Sequence, residues 1–76
     1  MVDRINSICR MCYAFWGKYG KWMEHALLVE YCMQAWSVKS ETARSHVGSA
    51  VLYGYLKDNG STLELTEKGK EEALHG

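Results

Sequence analysis

The sequence has no proline among its 76 residues, only one phenylalanine and no net charge. Without proline, every break between elements must come from glycine or from clusters of small polar residues. Nine basic and nine acidic side chains cancel, so no global field advertises a polyanionic partner. Long apolar runs are missing as well. The longest uncharged stretch, Ser45 to Leu56, contains Ser45, His46, Gly48 and Ser49 and falls short of the roughly 20 apolar residues of a membrane span. No basic-then-apolar leader opens the chain, so the expectation is a cytoplasmic protein without membrane contact. Cysteine is sparse and odd in number (Cys9, Cys12, Cys32), which reads as reduced thiols rather than a disulfide framework.

What is there is enough to fold. A hydrophobic fraction of 47%, with 12% aromatic residues, excludes disorder and gives one domain, 1–76, with a core of its own. Charge is unevenly spread. Residues 1–57 hold seven lysines and arginines against four carboxylates, a net +3, and residues 58–76 hold two lysines against five carboxylates, a net −3. A mildly basic body carries an acidic tail.

Asp3 is placed to cap a first helix over 1–20, in which Ile5, Ile8, Cys12, Phe15 and Tyr19 recur at helical spacing, with Cys9 and Trp16 widening the stripe. A second helix over 21–36 is apolar on most faces from Trp22 to Trp36, which makes it central to the domain or covered by a partner. Ser37-Val38-Lys39 forms a turn over 37–39. Ser40 then caps a third helix over 40–54, whose Ala43, Val47, Ala50 and Gly54 line one face, with Gly54 at its end. Over 55–65, Tyr55-Leu56-Lys57-Asp58 and Ser61-Thr62-Leu63-Glu64-Leu65 flank Asn59-Gly60, a pair suited to a type I′ hairpin turn with positive φ at both positions. Leu63 and Leu65 share one side, Thr62 and Glu64 the other. Thr66 caps a last short helix in 66–76, which Gly69 should weaken. A lone hairpin must pack against helices to be stable, so the class is α+β, mainly helical.

Three segments, Thr42-Ala43-Arg44-Ser45-His46-Val47, Gly54-Tyr55-Leu56 and Leu65-Thr66-Glu67-Lys68-Gly69-Lys70, resemble the winged helix-turn-helix family over about 30 residues without gaps. In that family two helices and a small strand precede a recognition helix. The recognition helix ends at a Gly-Tyr-Leu-like step into the wing, and a Leu-Thr-Glu-Lys-Gly segment opens the following helix. The resemblance implies three helices, a two-stranded wing and a short C-terminal helix. It also implies a small double-stranded DNA-binding regulator that inserts 40–54 in the major groove. Carried over position by position, Lys39, Ser40, Thr42, Arg44, Ser45 and Ser49 would contact DNA, with Lys57 and Asn59 at the wing.

The residues themselves bear on that expectation. Opposite the face of Ala43, Val47 and Ala50 lie Glu41, Ser45, Gly48, Ser49 and Leu52, with Arg44 and His46 on the flanks. Hydroxyls and a helix N-terminus suit phosphate oxygens, and Arg44 is the one side chain of this helix able to read guanine bidentately. The bland reading is a helix capped by Ser40 and Thr42 with Arg44 in solvent. Gly48 costs about 1 kcal/mol in a helix, which a close approach by DNA backbone or another protein would justify. Leu52 suits a protein partner better than a phosphate. The alternative function is therefore a winged helix used as a protein-interaction module through Gly48 and Leu52, such as a small viral or plasmid-encoded inhibitor or adaptor.

Cys9 and Cys12 form a C-x-x-C pair on one helix face, with Cys32 and His25 the only candidates to complete a zinc tetrahedron. The turns of a zinc ribbon and the strand-to-helix setting of a redox pair are both missing, so the cysteines are expected to be buried, with no metal and no cofactor. His25, His46 and His75 adjoin no nucleophile in a motif, and no glycine loop would cradle a phosphate, so the chain is not expected to be an enzyme. Aromatic residues cluster early. They serve simply as core, or as a homodimer interface on the first two helices, where Ile5, Tyr13, Trp16 and Trp22 are the expected contacts. A two-fold dimer would set two recognition helices about one DNA turn apart.

Overall fold

The stripe that begins at Ile5 does wind into a helix. In the computed structural model, which describes residues 4–75, α1 spans Arg4–Tyr19 and fully buries Ile8, Cys9 and Cys12. Asp3, the expected cap, lies outside the described residues. Gly20 adopts φ +70, where its N–H bonds back to the Trp16 carbonyl at 2.8 Å and the chain turns away; that conformation is open to glycine without a Cβ penalty.

The expected helix over 21–36 is shorter than its apolar run. Met23–Glu24 is extended as β1, and α2 spans His25–Trp36. Met23 sits opposite Leu63 with its side chain fully buried, and the His25 N–H reaches the Ser61 carbonyl at 3.1 Å. The free edge of a neighbouring strand thus outcompetes one more helical turn. α2 buries Leu28, Val29 and Cys32 and leaves Tyr31, Gln34 and Ala35 exposed, so it is packed on one side only. It closes on Ser37, a non-glycine residue at φ 53, with the Val38 N–H bonded to the Met33 carbonyl at 3.2 Å.

After the turn, α3 spans Ser40–Leu52. Lys39, not Ser40, occupies the cap position, without a side-chain capping bond. Ala43, Val47 and Ala50 are buried as the spacing predicts. The helix stops before Gly54. Gly54 at φ +85 gives its N–H to Val51 (3.1 Å), and Tyr55 gives its own to Ala50 (2.9 Å), the paired bonds that satisfy a helix's last carbonyls.

Leu56–Asp58 forms β2 and Thr62–Leu65 forms β3, and the antiparallel sheet runs in the order β1-β3-β2. The sheet therefore has three strands, not the two of the expected wing, because β1 fills the outer edge of β3. The turn is also displaced. Asn59 pairs with Thr62 through a 2.9 Å backbone bond, so Gly60-Ser61 are its central residues, and only Gly60 (φ +101) has positive φ. That is the sign pattern of a type II′ turn, not type I′. Asp58 Oδ1 accepts the Gly60 N–H at 2.8 Å, and Asn59 Nδ2 donates to Glu64 Oε1 at 3.2 Å, which hold Asn59 in the ladder.

α4, Glu67–Leu74, begins as expected at Thr66, whose Oγ1 accepts the Gly69 N–H at 3.1 Å and donates to the Gly54 carbonyl at 2.6 Å. Gly69 is no weak point. A Cβ there would fall on the Tyr55 carbonyl oxygen and within 2.7 Å of Leu65 Cδ2, so glycine lets α4 seat against the entrance to β2. The four helices pack around one core in which Met23, Leu56, Leu63 and Leu65 of the sheet meet Ile8, Leu28 and Val47. Among the described residues no helix is long and apolar enough to cross a membrane.

Candidate nucleic-acid interface

With Ala43, Val47 and Ala50 turned inward, α3 must present its other side to solvent, and it does. Glu41, Thr42, Arg44, Ser45, Gly48 and Leu52 are exposed, and Lys39 stands exposed at its start. Lys57 is exposed on β2, which packs against α3.

The expected contact residues are not equivalent. Thr42 and Ser45 lie on the open face. Ser40 and Ser49 are half-buried, and Ser49 Oγ donates to the Ser45 carbonyl at 3.0 Å, a bond spent within the helix. Arg44 and Ser40 line a groove of about 370 Å³ between α2 and α3, together with Val29, Met33, His25 and Glu30. Glu30 thus shares a groove with the one arginine of α3. Asn59 is exposed, but its amide already serves Glu64.

Two features were missed in the sequence. Beside Leu52, which is 78% exposed, Tyr53 is 57% exposed, so the helix ends in an apolar edge; counting one residue past the helical face would have found it. The second lies on the inner side. Arg4 Nη1 donates to His46 Nε2 at 2.9 Å and stacks over Trp36 at 5.0 Å, while His46 meets the edge of Trp36 at 5.5 Å. This knot ties α3 to both α1 and α2 behind the outward face. No local pattern joins residues 42 apart. Gly48, by contrast, answers to nothing inside the molecule, since a Cβ there would meet no atom within 4 Å.

Away from α3, Cys9, Cys12 and Cys32 are buried. Burial, reinforced by Cys9 and Cys32, pushes the Cys12 thiol from 9.0 up to about 12, and burial pushes Cys32 up to about 11. Thiolate chemistry is suppressed at both positions. Among the described residues no three His, Cys, Asp or Glu side chains converge as metal ligands would. Of the expected dimer contacts, Tyr13, Trp16 and Trp22 come together. The Trp16 and Trp22 rings stack at 5.2 Å and 7°, Tyr13 meets Trp16 edge-on at 6.0 Å, and Lys70 covers both indoles at about 6 Å. Ile5 is separate, half-buried against the core.

Comparison with known families, characterised proteins and solved structures finds no match to this chain.

Proposed function

We propose that the protein is a winged helix that binds double-stranded DNA through the outer face of α3, with Lys57 and the β2–β3 turn against the backbone, as a homodimer. The observation that carries the reading is Gly48: a glycine in the middle of an exposed helical face, costing about 1 kcal/mol, with no neighbour in the molecule that requires it. It leaves the helix axis open to a close external approach. Around it stand Thr42, Ser45, Lys39 and Arg44, donors suited to phosphates and base edges. Two helices and a small strand, β1, precede α3 in the chain, which supports the reading.

A second reading has its own support. The exposed Leu52 and Tyr53 would suit a protein groove, and the helix offers one arginine and no lysine. Duplex titrations by fluorescence anisotropy separate the two. On DNA, Arg44→Ala should cost about 1–3 kcal/mol at a specific site. Lys39→Ala should weaken binding to all sequences and lower the salt slope by about one counterion, while Leu52→Ser changes little. On a protein partner the ranking inverts, with Leu52→Ser abolishing binding and the charges acting mainly on association rate. No binding to random duplex at low salt would sink the DNA reading.

A further inference from the structure

The two flanks of α1 are built differently. On one, Met11, Ala14, Phe15, Lys18 and Tyr19 of α1 and Tyr31 of α2 line an apolar groove of about 260 Å³. Tyr19 is 52% and Tyr31 39% exposed, and Lys18 stands exposed at its mouth. On the other flank lies α4. Asn6 donates to the Glu72 carbonyl at 2.9 Å and Arg10 to the His75 carbonyl at 3.2 Å, while Lys70 sits over Trp16. α4 therefore runs antiparallel to α1. Its outward line, at i, i+4 and i+7, is Glu67, Glu71 and Leu74, all exposed, Leu74 by 70%. Between the flanks the exposed line of α1 is Arg10, Ala14 and Gly17; past Arg10, which is turned to the His75 carbonyl, it is small, and a Cβ at Gly17 would meet nothing within 4 Å.

We propose that the groove receives α4 of a second copy of this chain, reciprocally, about a two-fold axis running roughly along α1. With the two α1 ridges side by side and parallel, each α4 crosses to the partner's groove. The lengths agree. Glu67 to Leu74 and Met11 to Lys18 are both eight residues, seven steps or about 10 Å of helix, and the antiparallel course of α4 sets Glu67 and Glu71 towards Lys18, and Leu74 towards Met11 and Tyr31. Charge agrees too, because the basic body of one copy meets the acidic tail of the other. The small ridge permits close approach, and the reciprocal contact closes the pair instead of propagating a filament. This deepens the homodimer of the reading above and rests on that dimer alone; α3 need not bind DNA for it to hold.

Sedimentation of the intact chain without DNA tests it. The wild type should sediment as a dimer at micromolar concentration. Lys18→Glu and Glu71→Lys should each weaken association roughly tenfold, and an equimolar mixture of the two should recover it, because the mixed dimer has one salt contact in its native polarity and the other reversed, and both are attractive. Leu74→Ser should weaken the dimer without changing charge, and Lys57→Glu, on β2, should leave it intact. A monomeric wild type, a dimer indifferent to both reversals, or a mixture that fails to recover would overturn the proposal. A dimer that survives every DNA titration unbound would sink the DNA reading and leave this one standing.

Discussion

Two glycines show how the same residue answers to opposite demands. Gly69 is imposed from within, because the Tyr55 carbonyl and Leu65 occupy the space a side chain would take. Gly48 is in open solvent on a helix, where alanine is the better former. Gly69→Ala should therefore destabilise the fold by about 1–3 kcal/mol through overpacking, whereas Gly48→Ala should stabilise it by up to about 1 kcal/mol and weaken partner binding. Urea denaturation of the two variants checks the first pair of effects and titration the last; a Gly48→Ala protein that binds undiminished would remove the close approach from the argument. The buried cysteines supply a pH dependence. For Cys12 the native thiol holds its proton up to about pH 12, and for Cys32 up to about pH 11, against 9.0 for an ordinary thiol. Above pH 9 the unfolded chain loses these protons first, so it binds fewer than the native state and stability falls as pH rises. The contribution is whole below pH 9 and lost progressively towards pH 11–12. Denaturation midpoints should drop across that window, and Cys12→Ala, though destabilised throughout, should drop less steeply. An equal slope in both proteins would show that the Cys12 thiol does not carry the alkaline loss.

At the scale of elements, what was legible in the sequence is what local physics determines. The buried face of α3 follows from Ala43, Val47 and Ala50 at helical spacing, and α4 starts at Thr66 because a threonine hydroxyl before a helix has an orphan N–H to accept. The hairpin was legible in kind and wrong in detail. Asn59-Gly60 has the composition of one turn, but the Asp58 carboxylate and the Asn59–Glu64 bond hold Asn59 in the ladder, and Gly60 alone takes positive φ. Leu56 consequently faces Leu65 where a turn centred on Asn59-Gly60 would have set it against Leu63. The slip is an even number of residues, so every leucine stays on its face and the core survives the error. β1 was not legible. Two residues carry no period, and Met23 continues the apolar run of α2; only the unpaired edge of β3, distant in sequence, makes it a strand. The knot of Arg4, Trp36 and His46 is hidden for the same reason. The open face of the candidate site could be read from a helical wheel, and the contacts behind it could not.

Taken whole, the molecule exposes 4879 Å², close to the roughly 4,700 Å² expected for a compact monomer of its mass. The single chain is as closely folded as its mass allows, so the proposed dimer is one of docked, already folded copies. A chain of this size buries only about 60% of its unfolded surface and is correspondingly marginal alone. In the proposed dimer, docking the groove of one copy on α4 of another would add apolar burial that one copy lacks, and mass action would then make stability depend on concentration. For a pair of these chains melting together, a tenfold increase in protein adds about 1.4 kcal/mol per dimer, which for a unit of about 150 residues raises Tm by about 3–5 °C. Calorimetry over two decades of concentration should show that rise in the wild type. The Lys18→Glu protein, with its mutated side chain exposed and its core intact, should melt about 3–5 °C below the wild type at each concentration and match it only at about tenfold higher protein. If both proteins melt independently of concentration, the folded unit is the single chain, and the exposed Tyr19, Tyr31 and Leu74 contribute nothing through self-association. If the wild-type Tm climbs and Lys18→Glu melts at the same Tm at every concentration, the dimer is real but built elsewhere, and the stacked Trp16–Trp22 pair with Tyr13 becomes the surface to substitute next.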